Sequence, residues 1–174
     1  DGLVNFLLTG ECVPFAAKFP PLEEMVDIIR RDPAAQITRG KKGDTLDTSN
    51  YADAFRALPL REAMRQEFGL AHFKLRNFQG KGQFLERFEQ KVMEPGRRFL
   101  TSAGFTWERC YPIIFISGPG SSTNYHVDVS HVLAWQIHGR KRFCGLLDPD
   151  RWESLDNLVR AEHRTGIRKP AGLG

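Results

Sequence analysis

The sequence lacks the features that would place it in a membrane or in an oxidising compartment. No apolar run approaches the roughly 20 residues that a membrane-spanning helix needs. The chain opens on Asp1-Gly2 without the basic and apolar regions of a signal peptide. Its cysteines, Cys12, Cys110 and Cys144, are odd in number and widely spaced, which disfavours a disulfide framework and a zinc site. These absences predict a cytoplasmic protein with no membrane partner.

Composition and charge are those of an ordinary globular domain. The 174 residues are 41% hydrophobic and 26% charged, with no internal repeat or low-complexity tract. The formal net charge is +4, but the basic residues occur in short groups that are not interleaved with aromatic residues. We therefore interpret the basic groups as solvated surface and do not expect a nucleic-acid partner.

Helical patterns dominate the first part of the chain. One apolar stripe consists of Leu22, Met25, Val26 and Ile29, and Asp32-Pro33 ends that helix. Residues 51–58 and 60–68 are also predicted to be helical, with Gly69 closing the second of these helices. Residues 83–101 give the strongest helical pattern, which Pro95-Gly96 interrupts. This part of the chain is therefore predicted to be a helical region over residues 1–110, with cover strands.

Strand patterns dominate the later part. Residues 72–75 are predicted to form a short strand, in which His72 is a packing or surface residue. Residues 111–117 are apolar and rich in β-branched side chains, which predicts a buried strand. Gly139-Arg140 is predicted to be the tight turn between strands at 131–138 and 141–147.

A histidine and an aspartate stand two residues apart in a segment that is also predicted to be a strand. Side chains alternate across a strand, so His126 and Asp128 should project from the same face, together with Asn124. An imidazole and a carboxylate pointing together make two thirds of the 2-His-1-carboxylate triad that holds Fe(II) in non-haem oxygenases.

A larger set of residues around this pair resembles the core motif of the Jumonji-C (cupin-like) 2-oxoglutarate oxygenases. The set comprises Thr123, His126, Asp128, Gln136, Ile137, Gly139, Lys141 and Arg142. The spacing is similar to that of the asparaginyl-hydroxylase branch and of bacterial cupin-like proteins. The resemblance covers about residues 113–152 and implies a double-stranded β-helix, an Fe(II) centre and 2-oxoglutarate as co-substrate. The implied activity is oxidative hydroxylation or demethylation.

The resemblance also implies roles for individual residues. His126 and Asp128 match two metal ligands, while Lys141 matches the cation that pairs with the far carboxylate of 2-oxoglutarate. Thr123 matches a hydroxyl that hydrogen-bonds the same carboxylate. Asn124 and Gln136 are candidates for contacts to the metal ligands or to the substrate. A buried carboxylate needs a charged or hydrogen-bonding partner. Strand alternation also predicts that Lys141 faces away from the residues on either side of it.

One feature of the family's pattern is missing from the sequence. The third metal ligand of the family is a second histidine on a later strand, yet His163 is the one histidine after the predicted hairpin. We therefore expect the sequence to be a piece of a longer oxygenase. The predicted architecture is α+β, with N-terminal helices packed on a partly contained Jumonji-C-type barrel, whose first half and a following helix occupy residues 111–174.

Two alternatives remain open. The chain could be a non-catalytic cupin-like binding or regulatory module with an incomplete metal triad, or a different metal cupin that recruits His163 or a histidine of a neighbouring chain. The sequence does not choose between a protein, a peptide and a small molecule as substrate. It also leaves a homodimer open.

Overall fold

Helices pack on one face of a small antiparallel sheet. The structure is a computed structural model and describes residues 18–39, 49–106, 108–123 and 132–145, together with residues 151, 154 and 157. Three strands lie in the order β1-β2-β3, and each pairs antiparallel with its neighbour. The α+β prediction is confirmed at this level. The described residues contain no β-barrel.

The first helix forms where its apolar stripe predicts it. Helix α1 (Leu22–Arg31) begins directly after Pro21 and is followed by Asp32, which has an extended backbone. Acidic residues occupy its first turn and basic residues its last turn, which complements the helix dipole. Met25, Val26 and Ile29 are buried. The stripe therefore packs in the core as expected.

The bounds of the other helical elements differ from those that the sequence patterns predict. They are α2 (Ser49–Ala57), α3 (Leu60–Ala63), a 3₁₀ turn (Leu75–Phe78), a π-helix (Glu89–Met93) and α4 (Glu94–Ser102). Pro95 is the second residue of α4, which follows the π-helix directly, so Pro95 lies where one helical type changes to the other. The predicted interruption at Pro95 is therefore confirmed as a junction between two helical types. The predicted helix over 60–68 is wrong beyond α3.

The sheet has one buried face. Its strands are β1 (Gln36–Arg39), β2 (Phe68–His72) and β3 (Ile114–Ser117). Phe68, Leu70 and His72 alternate into the core, and Ile37 and Ile116 lie on either side of Leu70. The ring of Phe55 from α2 packs 4.7 Å from that of Phe68. This contact joins the helices to the central strand.

Gly69 belongs to β2 and does not end a helix, so that prediction is wrong. A Cβ at Gly69 would lie 2.8 Å from the Thr38 hydroxyl oxygen, because β1 pairs closely with β2 at this point. The predicted strand at 72–75 is likewise shifted towards the N-terminus, because β2 pairs over Phe68–His72.

The opposite face of the sheet carries exposed aromatic rings. Phe115 in β3 is 60% exposed, and Phe73, which follows β2, is 45% exposed. Their rings meet edge to face with centroids 6.3 Å apart. Of the strand predicted over 111–117, Ile114–Ser117 forms β3, which is buried on one side only.

The predicted hairpin lacks regular strands in the part that the structure describes. Residues 132–138 and 141–145 form no strand ladder, although Gly139 has a φ of +70° that suits a turn. Residues 146 and 147 lie outside the described residues. A strand needs a hydrogen-bonded neighbour, and local alternation of side chains does not provide one.

Candidate functional site

The structure describes three of the six predicted site residues. They are Thr123, Gln136 and Lys141. The two predicted metal ligands, His126 and Asp128, lie outside the described residues, as do Asn124 and His163. The structure therefore shows how the chain enters and leaves the predicted metal motif.

The loop that leads into the motif is fixed to the central strand. The carbonyl oxygen of Phe68 accepts hydrogen bonds from the Gly118 N–H at 2.8 Å and from the Ser121 hydroxyl at 3.0 Å. A Cβ at Gly118 would lie 2.1 Å from the carbonyl oxygen of Gln66. A side chain at position 118 would therefore separate this loop from β2. Thr123 follows the loop and is exposed.

The segment after the motif is attached to the start of α1. Nε2 of His138 lies 3.0 Å from the carbonyl oxygen of Pro20 and donates to it. The Gln136 side-chain amide donates to the carbonyl of His138 at 2.5 Å. Gln136 therefore stabilises the bend before Gly139. His138, which the sequence places in an exposed position, is half-buried.

Lys141 lies in a run of three exposed cations. Arg140, Lys141 and Arg142 are all exposed. The alternation that would turn Lys141 away from its neighbours does not occur, because the described segment is not a strand. Its predicted pairing with a carboxylate stays a prediction.

A different group of polar residues is brought together at the end of α1. The Asp32 carboxylate accepts hydrogen bonds from the Asn77 amide and from the Ala34 N–H, both at 2.8 Å. Nε2 of the fully buried His72 lies 3.6 Å from Oδ2 of Asp32. Burial raises the pKa of Asp32, but the hydrogen bonds from Asn77 and Ala34 outweigh it and hold the pKa below its usual value.

A hydrogen bond to the ring of His72 shows which of its nitrogens is the acceptor. Its Nδ1 accepts a hydrogen bond from the Lys74 N–H at 3.1 Å, so Nε2 carries the proton and points towards Asp32. The ring also packs against Phe78 with centroids 4.8 Å apart. His72 therefore has a packing role, which is one of the two roles that the sequence predicts.

The part of the chain that the structure describes contains no group of three or more His, Cys, Asp or Glu side chains placed to hold a metal ion. No helix within the same part of the chain is both long and apolar enough to cross a membrane. The His72–Asp32 pair thus joins α1, β2 and the 3₁₀ turn without forming a metal centre.

Sequence reasoning misses one further feature, a cavity beside the π-helix. Phe19 and Trp135 meet there edge to face, with ring centroids 5.3 Å apart. These residues are distant in the sequence, and no local pattern connects them. Phe84 and Phe88 line the opposite wall of the cavity. The apolar helical stripe that contains them is the one sequence signal for that wall.

At the level of fold, the chain is an α+β protein with a three-stranded antiparallel sheet. None of the protein-family models, curated proteins or solved structures compared with the chain matches it. Membership of the Jumonji-C family therefore stays a prediction based on the motif.

Proposed function

We propose that the chain carries the first part of an Fe(II)- and 2-oxoglutarate-dependent oxygenase site. The proposal depends on one observation. The spacing T-x-x-H-x-D is formed by Thr123, His126 and Asp128, and it is followed by Gln136-Ile137-x-Gly139-x-Lys141. A chance His-x-Asp pair is common on strands. A His-x-Asp pair that only packs does not need a hydroxyl, a turn glycine and a lysine at the accompanying spacings.

The donor set fits the proposed metal in part. His126 and Asp128 offer an imidazole nitrogen and a carboxylate oxygen, which suit Fe(II) and leave other coordination positions open. When bound, the iron and 2-oxoglutarate would supply the oxidising chemistry for hydroxylating a C–H bond. A third protein donor is not assigned.

The other residues of the motif would bind the co-substrate. Lys141 is a compact cation on a long flexible stem, suited to the distal carboxylate of 2-oxoglutarate. The Thr123 hydroxyl would donate a further hydrogen bond to the same carboxylate. Lys141 is exposed in the structure, so this proposal requires its side chain to become enclosed when 2-oxoglutarate binds.

Two features of the structure support a double-stranded β-helix as the finer architecture. The motif follows directly from a sheet, because Gly118 and Ser121 hold the entering loop against β2. Phe73 and Phe115 are exposed on one face of the sheet in the part of the chain that the structure describes, and a second β-layer would remove these rings from water.

The exposure of Lys141 favours one alternative function. A cupin-like binding module with an incomplete triad would keep Arg140, Lys141 and Arg142 as a solvated cationic run, which is their arrangement in the structure. Such a module would bind neither Fe(II) nor 2-oxoglutarate at the motif.

Fe(II)-dependent binding of 2-oxoglutarate tests the proposal. Under anaerobic conditions, wild-type protein with Fe(II) should bind 2-oxoglutarate and develop a metal-to-ligand charge-transfer band in the visible region. Lys141→Ala should weaken 2-oxoglutarate binding at least tenfold, whereas the matched exposed variant Arg140→Ala should not. Equal binding by wild type and Lys141→Ala, or 2-oxoglutarate binding that is independent of Fe(II), would contradict the proposal.

A further inference from the structure

The loop between β3 and Thr123 closes through a β-turn whose shape is specified by two residues. The Ser121 N–H donates to the Gly118 carbonyl oxygen at 3.3 Å, which places Pro119 and Gly120 at the two central positions. Proline excludes the positive φ that the mirror-image turns require at the first central position, and Gly120 has the φ of +75° of the second position in a type II turn. Pro119-Gly120 therefore specifies the reversal of the chain.

The turn brings the side chain of Ser121 back to the central strand. Its hydroxyl donates to the Phe68 carbonyl oxygen at 3.0 Å. The same oxygen accepts the Gly118 N–H at 2.8 Å, one residue beyond the last registered pair of β2 with β3. A carbonyl oxygen has two lone pairs and can accept both bonds. One backbone atom of β2 thus holds both ends of the turn.

The residues beneath the turn are close to its backbone. A Cβ at Gly118 would lie 2.1 Å from the Gln66 carbonyl oxygen, and a Cβ at Gly120 would lie 3.4 Å from a carboxylate oxygen of Glu67. The side chain of the next residue, Phe68, is buried in the core. The turn therefore has its position set by the buried strand on which it lies.

The two residues that follow Ser121 lack this support. Ser121 is half-buried, whereas Ser122 and Thr123 are exposed. Ser122 makes no hydrogen bond within the part of the chain that the structure describes. Within that part, the hydroxyl of Ser121 is the last group before Thr123 that attaches the loop to the sheet. The placement of Thr123 therefore depends on this one side chain.

We propose that Ser121 is a positioning residue for Thr123 in the binding of 2-oxoglutarate. The inference rests on the proposed function, in which the Thr123 hydroxyl donates to the distal carboxylate of the co-substrate. Without the bond from Ser121 to Phe68, the chain beyond the turn would sample more orientations, and binding would have to order it. The one hydroxyl proton of Ser121 is used in this bond, so Ser121 acts through Thr123.

Backbone order tests the positioning step without any ligand. By ¹⁵N relaxation of the full chain, the Thr123 amide should have an order parameter of about 0.85 in wild type and should fall towards about 0.6 in Ser121→Ala. Ser122→Ala is the matched control, because it removes the neighbouring exposed hydroxyl, and it should leave the Thr123 value unchanged. A Thr123 amide that is already flexible in wild type, or equally ordered in Ser121→Ala, would overturn the inference.

Anaerobic titration with 2-oxoglutarate in the presence of Fe(II) tests the binding step. Thr123→Ala should weaken binding about tenfold, because a hydrogen bond to a charged group is lost. Ser121→Ala should weaken it about three- to tenfold, and Ser122→Ala should not change it. The double variant Ser121→Ala/Thr123→Ala should bind no more weakly than Thr123→Ala, because a residue that acts only through Thr123 has no effect once that hydroxyl is gone.

The outcomes separate this inference from the function on which it rests. If Thr123→Ala weakens binding and Ser121→Ala does not, Ser121 is not a positioning residue, and the proposed co-substrate site stands. Losses that multiply in the double variant would also overturn the inference, because Ser121 would then act independently of Thr123. If Thr123→Ala binds as tightly as wild type, the proposed role of Thr123 is itself contradicted, and the role of Ser121 is lost with it.

Discussion

Two regions of the chain use apolar residues in opposite ways. Among the residues that the structure describes, every buried hydrophobic residue of the core lies in the range from Met25 to Ile116. Of the described residues 132–145, none is buried, although Val132, Leu133 and Phe143 are large and apolar. Both regions have a periodic pattern of apolar residues that predicts secondary structure. In the described residues, neighbouring elements bury the apolar side chains of the first region, whereas Trp135 of the second region packs on Phe19 and stays 37% exposed.

The difference indicates that one region forms the fold and that the other carries part of the proposed chemistry. The core region accounts for the sheet and its helices, and it holds the loop that leads to His126 and Asp128. The later region carries Lys141, one of the two predicted co-substrate residues, on an exposed and irregular segment that is attached at His138. Stability should therefore depend on the first region and ligand binding on the second. Paired substitutions can test this division.

The largest contrast is expected between two phenylalanines. Phe68 is 1% exposed at the centre of the sheet, and Phe143 is 72% exposed. Phe68→Ala should lower the free energy of unfolding by about 3–5 kcal/mol, because it removes buried surface and leaves a cavity. Phe143→Ala should change it by less than about 0.5 kcal/mol. Urea denaturation of both variants measures the two free energies of unfolding. Similar losses in the two variants would contradict the prediction.

Two glycines provide the next contrast. A Cβ at Gly118 would collide with the Gln66 carbonyl oxygen at 2.1 Å, whereas a Cβ at Gly145 would meet nothing within 4 Å. Gly118→Ala should therefore destabilise the fold by about 1–3 kcal/mol, because the backbone must shift to accept the methyl group. Gly145→Ala should be close to neutral. Thermal unfolding of the two variants tests this, and a neutral Gly118→Ala would contradict the close approach.

A buried arginine gives a comparable effect. The guanidinium of Arg30 donates to the carbonyl oxygens of Leu58 at 2.7 Å and Phe55 at 3.3 Å, and so attaches α1 to the end of α2. Arg30→Met should cost about 1–3 kcal/mol, because acceptors that are partly or fully shielded from water lose their donor. Arg140→Met, on the exposed segment, is the control and should be near neutral. Chemical denaturation would refute this if both variants unfolded alike.

The smallest expected effect is the contribution of Asp32 to the loss of stability at acid pH. Because hydrogen bonds hold the folded-state pKa of Asp32 below its usual 3.8, Asp32 contributes stability above that value. The contribution is lost as the pH falls through the lowered folded-state pKa. Asp32→Asn should therefore flatten the fall in stability from pH 5 downwards, and Asn77→Ala should flatten it in the same direction. Acid titration followed by circular dichroism tests this, and an Asp32→Asn profile as steep as wild type would contradict it.

The fold was predictable where a single segment contains its own signal. Helix α1 has an apolar stripe with proline boundaries, and all of that information is local. Strand β1 was missed because its residues, Gln36–Arg39, become a strand through pairing with β2. The same pairing places Gly69 inside a strand, whereas its local sequence is typical of a helix end. Short elements of this kind depend on contacts between distant residues.

The candidate site divides in the same way. The T-x-x-H-x-D spacing is visible in the sequence and yields a chemical hypothesis without any contact. Whether Lys141 lies near Thr123 depends on long-range packing that alternation alone does not determine. The aromatic cavity could not be predicted, because Phe19 and Trp135 meet only in the folded chain.

Anaerobic titration with Fe(II) tests the central proposal most directly. His131 follows His126 by five residues, a spacing that would turn its side chain to the opposite face of a continuous strand, so the alanine variants of these two histidines form a matched pair. The proposal predicts that wild type and His131→Ala bind one equivalent of Fe(II) and that His126→Ala loses this binding. If His126→Ala binds Fe(II) as tightly as wild type, the motif is not a metal site.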